Sequence, residues 1–376
     1  MNQKNKDYFL DDRRSEKNDR HNFEKYREKF ISFVNNLDSN KRVAILAHGN
    51  CSDGMASAVL MIEILKKLHP SMPVPISIFL SYSIDMFGES LRKKLISENI
   101  SSVFVLDIGM NPQNISQFND FSHSFSVFYI DHHPSDALPN FAKVIKTESA
   151  DCATLTIYRL AKDIFDEFSW IWLVCAAAVS EFSYKKETNL NFIQKYYPEF
   201  NRNDLESSEL FKLSNALGSL IMYYKEKPLK ALEIIQKKDF KKMAEINKEI
   251  SLDIEKGLSG FDKAESYDNG ELFFYNVNSK FDISSSISTI LSMKYLGKTI
   301  IIFSKSWSDS KKIKISARNN LEPPPYSMKD LIESGIVGLS ESTGGGHVPA
   351  AGGVILERDM DIFKRRVLEF VKSKLK

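Results

Sequence analysis

The feature that most limits what this chain folds into is a series of short apolar segments separated by stretches of helical character. Val43-Ala44-Ile45-Leu46-Ala47, Pro75-Ile76-Ser77-Ile78-Phe79-Leu80, Val103-Phe104-Val105-Leu106 and Val127-Phe128-Tyr129-Ile130 are the segments. Each is too short for a helix, and their nearly unbroken apolar character is that of strands covered on both faces. Between them, Met55 to Leu68 and Leu91 to Ile96 repeat apolar residues every three or four positions. Strands that alternate with helices make right-handed crossovers, so the spacing predicts an α/β domain around a parallel sheet. Helices from about 151 to 183 are expected to close it. Ile171 to Val179 is too short for a membrane span and reads as a buried helix.

Four regions are expected along the chain. Residues 1–40 read as a charged tail, solvated over 1–20, followed by an amphipathic helix carrying Phe23, Tyr26, Phe30 and Phe33. Residues 41–186 hold the parallel-sheet domain. Residues 187–265 are helical and rich in charge, a helical connector. Residues 266–376 form a smaller mixed α/β domain. Its expected strands are Leu272-Phe273-Phe274-Tyr275, Thr299-Ile300-Ile301-Ile302-Phe303 and Lys312-Ile313-Lys314-Ile315-Ser316. A helix over 283–293, opened by Ser and Asp side chains, and a last helix over 360–374 complete it.

In open parallel sheets, ligands sit beyond the carboxyl ends of the strands. The first strand runs into His48-Gly49-Asn50-Cys51-Ser52-Asp53-Gly54, the third into Asp107, and the fourth into Asp131-His132-His133. Acids and imidazoles are thus delivered to one edge. Taken singly, Asp53 and Asp107 have ordinary readings as turn or helix-cap residues, and His48 as a structural histidine. Three ligand-type residues in a row after an apolar strand are rarely required by folding. Carboxylates with imidazoles suit Mn²⁺ or Mg²⁺. A pair of such ions roughly 3.5–4 Å apart activates water and clamps phosphoryl oxygens. A phosphodiester, a poor electrophile because its oxygens are anionic, is the substrate that gains from this. A second cluster, Gly344-Gly345-Gly346-His347, is read as a loop whose backbone approaches a phosphate, and Arg318 as a bidentate phosphate contact.

Composition narrows the function classes. The formal net charge of +2 is too near neutral to argue for bulk nucleic-acid binding, so any such contact needs a local basic site. Three cysteines without CxxC spacing exclude a disulfide framework and a structural zinc site, and fit a reducing, cytoplasmic setting. The charged N-terminus has no apolar core of a secretory signal, and no membrane partner is expected.

These motifs resemble the DHH phosphoesterase superfamily, in the branch with a C-terminal DHHA1 domain, over roughly residues 42–370. HGNCSDGMASA is similar to its first motif, VLDIG to the second, and YIDHHPS to the third. STGGGHVPAAGG, preceded by ISARN, is similar to the DHHA1 signature. The resemblance implies a parallel-sheet DHH domain, a helical connector and a smaller mixed DHHA1 domain. It implies a hydrolase, a Mn²⁺-dependent phosphodiesterase or nuclease with Mg²⁺ as the alternative, holding one or two ions. Short oligonucleotides, nucleotides or single-stranded nucleic acid would be bound in a cleft between the domains. His48, Asp53, Asp107 and His132 would be metal ligands, with Asp107 bridging. His133 would contact the scissile phosphate or support the attacking water, and Asp131 would orient the site. Arg318, Gly345, Gly346 and His347 would hold phosphate. Two departures stand out. Cys51 occupies the position of the first motif's leading aspartate, in a spacing one residue shorter, and its soft thiolate suits Mn²⁺ poorly. Glu181 stands where the fourth motif has an aspartate, and is taken as the substitute ligand. The departures leave open whether the first metal position is weak, completed by water, or absent. Two other functions fit the same motifs: a RecJ-like 5′→3′ exonuclease on single strands, and a non-catalytic binding or scaffold protein.

Overall fold

The computed structural model describes residues 23–80, 85–134, 138–164, 169–306, 309 and 311–374; the charged tail expected over 1–20 lies outside the described residues. The chain forms two compact units, one ending at Asn247 and the other beginning at Lys248.

In the first unit, helix α1 (residues 23–35) precedes strand β1 (Arg42–His48), α2 (Ser52–Leu68), β2 (Ile76–Leu80), α3 (Glu89–Ser97), β3 (Ile100–Leu106), α4 (Pro112–Ser122), β4 (Ser126–Asp131) and β5 (Lys143–Lys146). The strands form one five-stranded sheet in the order β2-β1-β3-β4-β5, and every pairing in it is parallel. Side chains alternate across it as strand geometry requires. Ala44, Leu46, Val103, Val105, Val127 and Tyr129 pack with Leu95, Phe118 and Phe121 of α3 and α4 on one face. On the other face Phe104 and Phe128 meet the rings of Phe30 and Phe33 from α1. The expected amphipathic helix is therefore a cover for this sheet. From β1 the chain moves outward to β2, then crosses back to β3. That reversal opens a crevice between the carboxyl ends of β1 and β3.

Two elements of this sheet escape the sequence pattern. Helix α4 carries its signal in Asn111-Pro112: Asn111 caps the helix by accepting from the Asn114 amide, and Pro112 sits in the first turn. Strand β5 is only four residues long.

Helices α5 (Ala153–Leu160), α6 (Ile171–Ser180), α7 (Glu187–Tyr196), α8 (Glu209–Tyr223) and α9 (Pro228–Gln236) follow. Ile171 to Val179 is buried throughout, as its composition requires. Helix α8 docks on α6 through the Ser214 hydroxyl, which donates to the Ala176 carbonyl. Helix α10 (Phe240–Ser259) contains the division between the units, so the helical stretch 187–265 is shared between them.

The second unit comprises β6 (Glu265–Tyr267), β7 (Leu272–Val277), α11 (Ser284–Lys294), β8 (Thr299–Lys305), β9 (Lys312–Arg318), α12 (Met328–Ile336), β10 (Thr343–Gly346), β11 (Ala350–Leu356) and α13 (Met360–Lys374). Its six strands run in the order β10-β11-β9-β8-β7-β6, with only β7 and β8 parallel. Helices α12 and α13 cover one face with Leu331, Ile332, Phe363 and Val367. Two expectations are corrected here. Gly344, Gly345 and Gly346 are not a loop but part of β10, paired with Gly353, Gly352 and Ala351. Helix α11 has no side-chain cap at Ile283; Asp282 instead forms an ion pair with Lys314 at 2.6 Å.

Among the described residues, no helix is long and apolar enough to cross a membrane, and all three cysteines are free.

Candidate metal centre

The carboxyl edge of the first sheet gathers the polar side chains. His48 ends β1, Asp107 follows β3, and Asp131 ends β4 with His132-His133 just beyond it. The first helical turn of α2 comes close behind His48. A Cβ on Gly54 would lie 2.2 Å from the His48 carbonyl oxygen, so only glycine lets the helix start there. The cap of α2 is Cys51, whose sulfur accepts from the Gly54 amide at 3.2 Å. The same sulfur lies 3.3 Å from His48 Nδ1 and donates to Asp107 Oδ2 at 2.9 Å. Burial and the Asp107 charge push the Cys51 thiol well above its ordinary range, so it stays protonated. His48 is held neutral: burial, then the charge of His133, lower it to about 4.

Asp107 is 1% exposed and adopts a left-handed φ of 56°. Its Oδ1 has no hydrogen-bond partner, and neither has His132 Nε2. These two buried atoms face each other at 3.3 Å, and His132 Nε2 lies 3.5 Å from Asp53 Oδ2. His132 Nδ1 is 3.4 Å from the Ser149 carbonyl. Donation from Nδ1 to a carbonyl leaves Nε2 as the atom with the lone pair, the usual support for a metal-binding imidazole. Unpaired buried polar atoms are rare, and a lone pair opposite a carboxylate oxygen calls for a proton or a cation between them. The donor set and its unmet atoms therefore fit a divalent cation. Two groups of donors lie within 4.8 Å of one another: His48, Cys51 and Asp107, and Asp107, His132 and His133. Asp107 is common to both.

The electrostatics have the same origin. Burial and the neighbouring Asp53 raise Asp107 to about 6. Burial works against charge on His132, but Asp107 and Asp53 outweigh it and raise it to about 9. Glu181, half-buried just after α6, is raised to about 8 by burial and by Asp53 and Asp107.

Asp53 and Asp131 are held differently. Asp53 accepts from the Ala153 and Thr154 amides, both at 2.7 Å, at the start of α5. It joins α2 to α5 while its outer oxygen borders His132. Asp131 is saturated: Oδ1 accepts from His133 Nδ1 at 2.7 Å, and Oδ2 from the His133 amide and from Lys146 Nζ. Burial would raise Asp131, but the bonds and charges of His133 and Lys146 hold it down to about 2. Asp131 thus positions His133, whose Nε2 is left as the acceptor. His133 in turn is raised above its ordinary value, burial being outweighed by Asp131.

Lys146 was not among the residues read from the sequence. It lies opposite Asp131 in the pairing of β4 with β5, and a lysine ending a short polar strand looks like a solvated charge. Lys146→Ala is expected to weaken binding of Mn²⁺ by roughly tenfold, with Lys146→Arg restoring most of it. Titration calorimetry measures this, and equal affinities for all three proteins would remove Lys146 from the site.

Among the candidate residues, His48, Asp107, His132 and His133 come together in the two donor groups, joined by Cys51; Asp53 borders them. Glu181 belongs to neither donor group. Arg318, Gly345, Gly346 and His347 lie in the second unit. Arg318 pairs with Ala350 across β9 and β11, and the His347 amide donates to the Ala350 carbonyl at 2.8 Å. Arg318 Nε is buried without a partner, and burial lowers its ordinary value. A Cβ on Gly345 would meet nothing within 4 Å, so this glycine faces open space.

No family model and no curated protein matches the sequence. Solved structures match the fold. A crystal structure of exonuclease RecJ bound to manganese aligns with a TM-score of 0.61 at 12% identity, over 92% of this chain and 93% of that one. The chain has a RecJ-like fold. An exopolyphosphatase-related protein from Bacteroides fragilis shares this fold with a TM-score of 0.52 at 14% identity, over 94% and 98% of the two chains. CDC45 from Entamoeba histolytica does so with a TM-score of 0.57 at 9% identity, over 91% and 97%. At these identities the fold alone is what is shared.

Proposed function

We propose that the chain is a divalent-metal-dependent phosphoesterase that cleaves short oligonucleotides or nucleotides, with Mn²⁺ as the preferred ion. The observation that carries this reading is the facing pair of unpaired buried atoms, Asp107 Oδ1 and His132 Nε2, 3.3 Å apart beside an oriented His133. A divalent cation, when bound, supplies Lewis-acid polarisation of phosphoryl oxygens and of water. Asp107 and His132 would hold it, with His48 completing the donors and Asp53 beside them lending negative charge; Glu181 would add its charge on giving up the proton it holds near neutral pH. His133, fixed through Nδ1 by Asp131, would hold or pass a proton at Nε2. Arg318 and His347 are proposed to bind phosphate, because the Arg318 guanidinium keeps an unmet donor.

The chain's likeness to a RecJ bound to manganese supports a metal-dependent reading, and the modest net charge favours short substrates over long strands. Purified protein with Mn²⁺ is expected to cleave dinucleotides and trinucleotides at least tenfold faster than a long single strand, an order-of-magnitude figure for losing a pocket's fit to chain ends. Equal or faster cleavage of long strands from one end makes it a RecJ-like exonuclease. A second reading rests on Cys51, whose thiol occupies one Asp107 oxygen. Absence of Mn²⁺ binding and of turnover would leave a non-catalytic protein on the same fold, as the likeness to CDC45 allows.

A further inference from the structure

We propose that His48, Cys51 and Asp107 form a position for Zn²⁺, a divalent cation that binds thiolate, beside the position that Asp107 and His132 offer to Mn²⁺. This assignment rests on the metal-centre reading and names the ion that each half of the centre takes. The three side chains supply one imidazole nitrogen, one sulfur and one carboxylate oxygen, all within 4.8 Å of one another. His48 Nδ1 is 3.3 Å from the Cys51 sulfur, and that sulfur is 2.9 Å from Asp107 Oδ2. Donors held on one tetrahedral zinc at about 2.0–2.3 Å stand roughly 3.3–3.6 Å apart, so the set needs to open by less than about 1 Å. Asp107 turns its two oxygens to different neighbours, Oδ2 to the sulfur and Oδ1 to His132 Nε2 at 3.3 Å. One buried carboxylate thus joins two positions of unlike chemistry.

Donor softness separates the two. Sulfur is a soft donor that favours zinc, whereas manganese and magnesium favour oxygen. Three protein donors also leave a fourth corner open, the arrangement of a catalytic rather than a structural zinc. A water or a phosphoryl oxygen fits that corner. Helix capping does not account for the sulfur. Cys51 caps α2 by accepting from the Gly54 amide at 3.2 Å, a task for which serine, threonine, aspartate and asparagine are the preferred residues. Cys152 provides the comparison within the chain. It caps α5 in the same way, its sulfur accepting from the Leu155 amide at 3.4 Å, but it is wholly buried and belongs to neither donor group. Cys51 is only partly buried and has an imidazole against its sulfur. On binding, the ion takes the place of the thiol proton between the sulfur and Asp107 Oδ2, and that proton passes to solvent.

Co²⁺ and Zn²⁺ are the probes, added to the full chain in equimolar amount. Co²⁺ is expected to give a near-ultraviolet sulfur-to-cobalt charge-transfer band and the strong visible absorption of a four-coordinate ion. C51S removes the near-ultraviolet band, whereas C152S keeps it. Zn²⁺ abolishes the band in the wild type, and an excess of Mn²⁺ leaves it in place. Zn²⁺ affinity, followed by competition with a chromophoric chelator, falls at least about tenfold in C51S, the loss that removing even an outer partner of a metal ligand gives. C51D exchanges sulfur for oxygen and shifts the preference between Zn²⁺ and Mn²⁺ toward Mn²⁺ by about tenfold or more. Serine and aspartate both cap a helix well, so neither variant is expected to melt below the wild type. A wild type without the band, a band that survives in C51S or that Mn²⁺ removes as readily as Zn²⁺, or an unchanged preference in C51D overturns the assignment. The phosphoesterase reading fails by a different result. The sulfur-to-cobalt band, with no turnover of dinucleotides on any of these metals, keeps the zinc position and removes the hydrolase. Turnover with Mn²⁺ by a protein that never shows the band does the reverse.

Discussion

Asp107→Asn is expected to lower the rate of phosphoester cleavage by roughly 10³-fold, about 4 kcal/mol of lost transition-state stabilisation, while making the metal-free protein more stable at pH 7. The two effects have one cause. Asp107 belongs to both groups of donor atoms, so its charge would be what holds a cation in place. Without a cation, that charge is buried beside Asp53, with His132 Nε2 3.3 Å from one of its oxygens. The sign follows from linkage. The carboxyl titrates near 4 in the unfolded chain and at about 6 in the folded one, burial and Asp53 being the causes. The folded state therefore binds the proton more readily, and stability falls as pH rises from 4 through 6. The shift of about 2 units corresponds to about 3 kcal/mol by the linkage constant. Asparagine, neutral and nearly the same size, avoids this cost, so a gain of about 1–3 kcal/mol is expected at pH 7. The gain should shrink as pH falls below 6, to less than half at pH 4.5, and vanish only below pH 4, where the wild-type carboxyl is protonated in both states. Melting curves of the two metal-free proteins at pH 7 and pH 4.5, with initial rates at saturating Mn²⁺, measure both effects. A variant that is less stable at pH 7 would show that Asp107 is a structural partner rather than a site kept under strain.

This opposition between site and fold also explains what could be read from the sequence. The apolar runs of β1, β3 and β4 were legible because strands covered on both faces need unbroken apolar character, and residues at their ends then stand out. His48, Asp107 and Asp131-His132-His133 were visible for that reason. Lys146 was not, because β5 is too short to show a pattern and its lysines read as solvated. The bond from Asp53 to the amides of α5 joins residues 100 positions apart, and no local signal announces it. The glycines of β10 misled in the other direction. Glycine is depleted in strands, so Gly344-Gly345-Gly346 reads as a loop, yet Gly344 lies under α12 and Gly346 against Ala350 and Ala351, where neither has room for a Cβ. A Cβ on Gly344 would come within 2.6 Å of Ile332. Cys51 was legible as a departure from a motif, but not as the cap that starts α2 and donates to Asp107. Hydrogen bonds of this kind depend on how the helix approaches the strand, which the Gly54 contact decides.

Affinity for Mn²⁺ is expected to rise about tenfold per pH unit between pH 6 and pH 9, roughly 10³-fold in all, because metal and proton compete for one atom. Burial opposes charge on His132, yet Asp107 and Asp53 raise it to about 9, so the metal-free protein carries an imidazolium at neutral pH. A cation entering between Asp107 Oδ1 and His132 Nε2 must displace that proton. His133, also raised above its ordinary value, steepens the dependence wherever its ring takes part. The stability of the metal-free protein should move the opposite way. A histidine raised on folding contributes stability that is fully present below its unfolded value of 6.5 and is lost as pH rises through 9. The proton therefore serves as a substitute cation that neutralises the acid cluster at low pH, and the metal takes over as it leaves. Calorimetric titrations at pH 6, 7 and 8 give the slope, and His132→Gln should flatten it while lowering affinity at every pH. A wild-type affinity independent of pH would mean that His132 Nε2 is not where the ion binds, and the assignment of the centre to Asp107 and His132 would have to be abandoned.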